Sequence, residues 1–321
     1  MSSPTYLRAV SPAPIPAVGK APNEPEATEL SQSQPVPAAA KESAAQPAPA
    51  AVEPKANNVL TRTKDVAINH ILPPAVVLFL LVSLWQILCS QPGSSLPSFT
   101  QVITDTSELI LHPFYDNGGN DVGLGWQLLA SLKRVAYGYT LAVLAGIALG
   151  VLIGQFSWAM KGLDPIFQVL RTVPPLAWLP LSLAGFQDSH PSAIFVIFIT
   201  AIWPIIINTS VGVRNIPEDY RNVARVIHLK NVRYFWKIML PAAAPYIFSG
   251  LRIGVGLSWL AIVAAEMLVG GVGIGFFIWD AWNSSLISDI ILALIYVGII
   301  GFILDRIVAY TGKIITRGTA A

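Results

Sequence analysis

Charge is what this chain has least of. Only 12% of its 321 residues are Asp, Glu, Lys or Arg, against 54% hydrophobic, where a soluble domain is about a quarter charged. One soluble core cannot hide that much apolar surface, which excludes a soluble enzyme, a coiled coil or a DNA-binding module. A net charge of +2 offers no field to attract a polyanion, so no nucleic-acid partner is expected. The single cysteine, Cys89, rules out a disulfide framework and any multi-cysteine metal centre. The four histidines show no metal-ligand spacing. No His-Glu-x-x-His, no Gly-x-Ser-x-Gly and no paired acids in the apolar runs support an intramembrane enzyme. A phosphate-cradling loop is missing too. Gly19-Lys20 and Gly312-Lys313 lack the earlier glycine and the following hydroxyl of a nucleotide-binding loop.

What is present divides at about residue 60. Residues 1–57 carry prolines from Pro4 to Pro54 among Ala, Ser, Gln and Glu. Such a composition buries too little to offset the entropy of ordering, and residues 1–60 read as a disordered cytoplasmic extension without a secretory signal. Beyond Asp65 no Asp, Glu, Lys or Arg occurs from Val66 to Thr104, Val135 to Met160, Ser189 to Val213 or Ile290 to Leu304. About 20 apolar residues cross a bilayer core. The expectation is an all-α integral membrane protein with six spans near 68–90, 128–156, 163–186, 191–212, 242–269 and 287–309. The third is interrupted by Arg171 and the fifth by Arg252 and Glu266.

The loops set the orientation. The stretch 91–125 has Asp105, Glu108, Asp116 and Asp121 with no Lys or Arg, and 187–190 and 270–286 hold no basic residue either. The opposite set contains Arg62, Lys64, Lys161, Lys313, Arg317 and a 213–240 loop with Arg214, Arg221, Arg225, Lys230, Arg233 and Lys237. This bias places both termini and the 213–240 loop in the cytoplasm. Ser98–Leu111 reads as a short interfacial helix on the other side. Within the basic loop, Val223, Val226 and Ile227 fall on one side and Arg225 and Lys230 on another. That pattern suits a short amphipathic helix docking into a partner; a solvated loop that merely fixes topology is the plainer alternative.

The run Asn222-Val-Ala-Arg-Val-Ile-His228, followed by Ile238-Met-Leu-Pro241, resembles the coupling-loop signature of permease subunits of bacterial ABC importers: Glu-Ala-Ala, three residues, Gly, nine residues, Ile, one residue, Leu-Pro. Asn222 stands for the Glu, Val223 for an Ala and His228 for the Gly, while Ala224, Ile238, Leu240 and Pro241 match. Arg171-Thr-Val-Pro174-Pro-Leu-Ala177-Trp-Leu-Pro180, the stretch from Gly250 through Trp259 to Glu266, and Gly271-Val-Gly-Ile-Gly275 resemble the branch importing nitrate, bicarbonate, sulfonates and taurine. Residues 250–285 are most similar to cyanobacterial nitrate and bicarbonate permeases. The resemblance, over roughly 65–318, implies the six-helix MetI-like permease fold. It also implies a second permease copy, two cytoplasmic ATPases holding ATP and Mg, and a periplasmic or lipid-anchored solute-binding protein; this chain itself would bind no cofactor. Asn222, Val223, Ala224, Arg225, Val226, Ile227, His228, Leu240 and Pro241 would meet the ATPase. The expected function is import of a small inorganic anion, nitrate or nitrite before bicarbonate, then sulfonate or taurine, by alternating access. An ion-driven secondary transporter fits less well, since Glu266 is the lone deep acid.

Charges inside the apolar runs are costly and face protein or water. Arg134 or Arg171 could attract the anion; alternatively the arginines and Glu266 form a structural ion pair, or the arginines hydrogen-bond to backbone freed by the prolines. Arg134, Arg171, Trp178, Trp259 and Glu266 are carried as pathway candidates. Gly146, Gly150 and Gly154, four residues apart, predict close helix packing, as do Gly250 and Gly254. Gly270 and the 271–275 motif predict a tight external turn.

Overall fold

The computed structural model describes residues 72–91 and 93–316. The 1–60 extension, Arg62, Lys64, the first residues of the 68–90 span and Arg317 lie outside them. The helices are α1 (Leu72–Cys89), α2 (Phe99–Asp105), α3 (Ser107–Leu111), α4 (Leu124–Gln155), α5 (Ser157–Leu170), α6 (Leu179–Phe186), α7 (Ser189–Arg214), α8 (Glu218–Val226), α9 (Asn231–Tyr234), α10 (Leu240–Val269), α11 (Ile274–Asn283) and α12 (Ile287–Thr316). A 3₁₀ turn, Pro175–Trp178, precedes α6, and a π-helical turn, Phe235–Met239, joins α9 to α10.

Among the described residues, five helices are long and apolar enough to cross a membrane: α1, α4, α7, the continuous Val232–Val269 helix, and α12. The sixth crossing differs from expectation. The region taken as one span at 163–186 is two arms, α5 and Pro175–Phe186, bent by 93°. Pro174-Pro175 explains the break: neither residue has an N–H to donate, and each disfavours a helical conformation in the residue before it.

Whether that bent pair crosses can be read from the packing of α4 on α7. A Cβ added at Gly138 would lie 2.7 Å from Ile197, at Gly146 2.8 Å from Ile205, at Gly150 2.5 Å from Thr209, and at Gly154 2.7 Å from Val213. Every partner is 59 residues further along, so α4 and α7 run parallel. Their connection must therefore return from one face to the other. The glycines let the two backbones close together, as the four-residue spacing predicts. In contrast α10 is antiparallel to α7: Gly212 faces Tyr246, Gly250 faces Pro204 and Gly254 faces Ala201 and Ile205. It is antiparallel to α12 as well, where Trp259 donates to the Val297 carbonyl (2.9 Å) and Arg252 pairs with Asp305. At mid-length the Tyr139 hydroxyl of α4 donates to the Leu251 carbonyl of α10 at 2.8 Å.

Three loop expectations are corrected. Ser98–Leu111 is two helices, parted at Thr106. The 270–286 loop contains α11, whose Ile274, Ile278 and Ala281 are buried. The 213–240 loop holds α8, and from Val232 the chain has already entered the fifth crossing. The second and sixth spans are longer than expected, at 124–155 and 287–316. The face of the body bearing α8 is called the basic end below, and the face bearing 99–123 the acidic end.

Candidate functional site: the basic elbow and the lock at the acidic end

The elbow is built from α8, its C-terminal turn and the α9–α10 entry. Arg221 donates through Nη2 to the Val213 and Arg214 carbonyls (3.4 and 3.3 Å), satisfying acceptors that the end of α7 leaves free. Ala224, 7% exposed, packs against the body. Away from the body, Tyr220, Val223, Val226 and Ile227 are 49%, 54%, 77% and 58% exposed. Residues 220, 223 and 227 are spaced as one helix face, so α8 presents an apolar crest outward at the polar end of the body.

The turn that ends α8 explains one departure from the coupling signature. The Leu229 N–H donates to the Ala224 carbonyl (3.0 Å) and the His228 N–H to the Arg225 carbonyl (3.1 Å), the two bonds of a Schellman cap. Such a cap needs a left-handed residue between helix and exit, and His228 takes it at φ +47°. Glycine would adopt that conformation without a Cβ penalty. From there the chain runs through the π-helical turn, with Met239 buried, directly into α10. Leu240 and Pro241 are half-buried at this junction rather than on the crest. Ala224, expected among the partner contacts, faces the body instead.

The acidic end holds the second constellation. Glu266, with its side chain fully buried, accepts from Arg134 Nη1 (2.6 Å), Ser131 Oγ (2.7 Å) and the Gly275 N–H (3.1 Å). The Ile274 N–H donates to Ser131 Oγ (3.0 Å), and the Gly273 N–H to Gln127 Oε1 (2.5 Å). Arg134 also donates to the Val272 carbonyl (2.8 Å) and through Nε to His190 Nδ1 (3.2 Å). The free N–H groups at the start of α11 are thus capped from two other helices, and a carboxylate sits where the helix dipole favours it.

The glycine motif follows from this geometry. Gly270 and Gly271 have φ of +76° and +85°, the turn that was expected. Gly273 and Gly275 serve differently: a Cβ on Gly273 would overlap the Glu266 carboxyl group, and one on Gly275 the Val263 carbonyl. They allow the start of α11 to press against α10.

Of the pathway candidates, Arg134 and Glu266 neutralise each other, and Glu266 touches no open surface. Trp259 is 2% exposed with its indole N–H bonded to α12, a packing position. Arg171 is exposed at the break between α5 and the 3₁₀ turn, and Trp178 is half-buried at that turn's end. Sequence reading missed Gln127 and Ser131. With Arg134 they form a polar stripe at i, i+4 and i+7 in an otherwise apolar helix, and that stripe was the available signal. Arg221 and Tyr220 were missed because their roles depend on which face α8 turns to the body.

Comparison with known proteins agrees with this architecture. The binding-protein-dependent transport system inner membrane component family matches residues 119–316. The nitrate import permease protein NrtB of Synechocystis sp. is 64% identical over 245 residues, covering 76% of this chain and 89% of that protein. The bicarbonate transport system permease protein CmpB of Synechococcus elongatus is 54% identical over 250 residues, covering 77% and 90%. An inward-facing structure of the MetNI methionine ABC transporter shares the fold, with a TM-score of 0.55 at 16% identity over 60% of this chain and 96% of that one. Helix α1 lies outside the matched family region, and α1 has no buried residue. The chain is a multi-pass membrane permease belonging to the binding-protein-dependent transport system inner membrane component family.

Proposed function

We propose that this chain is half of the membrane gate of an ATP-driven importer for a small planar inorganic anion, nitrate ahead of bicarbonate. The observation that carries the reading is the α8 crest: four large apolar side chains exposed at a basic end, on a helix held by Arg221 to the end of α7. A contiguous apolar face of this kind marks a surface suited to docking a partner. The partners are two ATPase subunits, which hold the ATP and Mg, a second copy of the permease, and a periplasmic or lipid-anchored binding protein at the acidic end. The basic end, with both termini, faces the cytosol, as the Lys and Arg distribution favours.

The connections of the elbow suggest how force passes. Arg221 holds the end of α7, and α9 is continuous with α10. A displacement of α8 on ATP-driven closure therefore moves α7 and α10 together. The Arg134–Glu266 lock carries the same displacement to α4 and α11. Closure selects one access state only because the ATPase dimer binds it better than the other.

Similarity to the nitrate import permease supports nitrate, and the lower identity to the bicarbonate permease keeps bicarbonate as the second reading. The test is uptake of labelled nitrate and bicarbonate by cells lacking this gene, with and without complementation by this chain. Loss and recovery of nitrate uptake alone is the expected result. Loss of bicarbonate uptake alone reverses the order, and unchanged uptake of both overturns the anion reading.

A further inference from the structure

Among the described residues, four arginines lie within the crossings away from their ends, and their surroundings differ. Arg134 is paired with Glu266, Arg252 is paired with Asp305, and Arg306 lies over the Phe302 ring at 4.7 Å. Of these four, Arg171 is the one whose side chain has no carboxylate, hydrogen-bond or ring partner among the described residues, and it is exposed.

Its depth follows from its neighbours. Phe167, one turn earlier, packs against Trp203 with ring centroids 5.5 Å apart and the rings tilted by 59°. Trp203 is 11 residues from the basic end of the 26-residue α7 and 14 from the acidic end. On the far side of the break, Leu179 is buried against Val196 of the same helix. Arg171 thus lies between the levels of Val196 and Trp203, in the middle third of the crossing. A cation at that depth cannot face hydrocarbon without a large penalty, so it faces protein or water. The backbone beside it is unwound, and unwound backbone at membrane depth belongs where it lines a cavity or is covered by protein. Thr172, Pro174, Leu176 and Ala177 at the break are exposed with it. The break is therefore turned away from this chain's own body.

We propose that Arg171 is an anion-contacting residue of the translocation path, binding a small planar inorganic monoanion at mid-membrane. The guanidinium offers parallel N–H donors in a plane, which suits a planar trigonal oxyanion. The proposal rests on the reading of the chain as an anion importer. The second copy contributes the same residue to the same path, so the path carries two such cations and its selectivity for anions over neutral solutes originates there.

The experiment uses the whole importer, with its ATPases and binding protein, in proteoliposomes. The background is Cys89→Ser, because Cys89 is the one native thiol. If this parent imports no nitrate, the functional reading fails whatever Arg171 does. If it does import nitrate, Arg171→Cys is expected to lower the initial rate about tenfold or more, the scale of a lost charge contact in a poorly screened site. Aminoethyl methanethiosulfonate, which restores a cation, returns the rate, and the sulfonatoethyl reagent does not. A rate within about twofold of the parent, or equal effects of the two reagents, overturns the proposal. Should the cysteine form not accumulate, Arg171→Lys and Arg171→Gln replace it, with Lys active and Gln inactive at equal abundance. Loss of the assembled complex in Arg171→Gln, restored in Arg171→Lys, makes Arg171 a contact between copies and also overturns it.

Discussion

The two ends of the membrane body are built on opposite plans. At the acidic end every charged and polar group of the lock finds its partner within one chain: Glu266 takes three donors, Arg134 gives to three acceptors, and Gln127 and Ser131 cap α11. At the basic end the clamp on α7 is complete, but Tyr220, Val223, Val226 and Ile227 face outward uncovered. The first plan makes a rigid joint. The second leaves an apolar surface open. A substitution at the acidic end should therefore act through stability, and one on the crest through coupling.

The sharpest way to break that contrast is Glu266→Ala. It leaves the Arg134 guanidinium and the N–H groups of Gly275 and Ile274 without their acceptor or its support, and stripping one partner from a buried pair costs about 3–5 kcal/mol. The variant should scarcely accumulate in the membrane and should unfold at lower temperature in detergent. Normal abundance and normal melting would remove the lock from the account. Glu266→Gln is milder, because the amide still accepts from Arg134 or Ser131.

Next in size is Gly275→Ala. The added methyl would overlap the Val263 carbonyl, and forcing α11 off α10 costs about 1–3 kcal/mol, as overpacking generally does. Thermal unfolding measures it. Gly162→Ala is the control, because nothing lies within 4 Å of a Cβ there, and it should leave stability unchanged or raise it slightly, since alanine favours the helix.

Val226→Asp tests the other end. At 77% exposure it has little to lose in the folded permease, so abundance and melting should stay at the parental level. Nitrate uptake should fall about tenfold or more, since a carboxylate buried without a partner in an interface disrupts it strongly. Ala224→Asp would not separate the two effects, because Ala224 packs against the body and its replacement unseats α8 itself. Normal uptake by Val226→Asp at normal abundance would show that the crest is not the docking face.

Much of this was legible in the sequence, and the limits have physical causes. Charge-free runs mark the crossings because hydrocarbon rejects ions, and Gly146, Gly150 and Gly154 announce close packing because spacing along one helix is a local property. The lock is not local: it joins residues near 130, 266 and 274, and only the fold brings them together. The break at Pro174-Pro175 could be suspected from the prolines, but its 93° angle and the burial of Leu179 with Val196 beyond it are tertiary features that no local pattern shows. The orientation of α8 misleads for a different reason. Large apolar residues ordinarily turn inward, yet here small Ala224 does, since it permits close approach to the body. The larger residues stay exposed on the outer face.

The smallest expected effect concerns the left-handed residue at the end of α8. His228 holds φ +47°, a conformation that costs an L-residue about 1 kcal/mol more than glycine. Both cap bonds run through the backbone of this turn, from the His228 and Leu229 N–H groups, and the imidazole makes neither of them. His228→Gly should therefore keep the cap, relax the turn, and raise the melting temperature slightly while leaving uptake near the parental rate. Part of that gain is offset by the greater freedom of glycine in the unfolded chain. A clear loss of uptake at unchanged melting would reveal that the imidazole itself contacts the partner at the basic end. The elbow would then extend past α8, and the boundary between its structural and docking surfaces would move to residue 228.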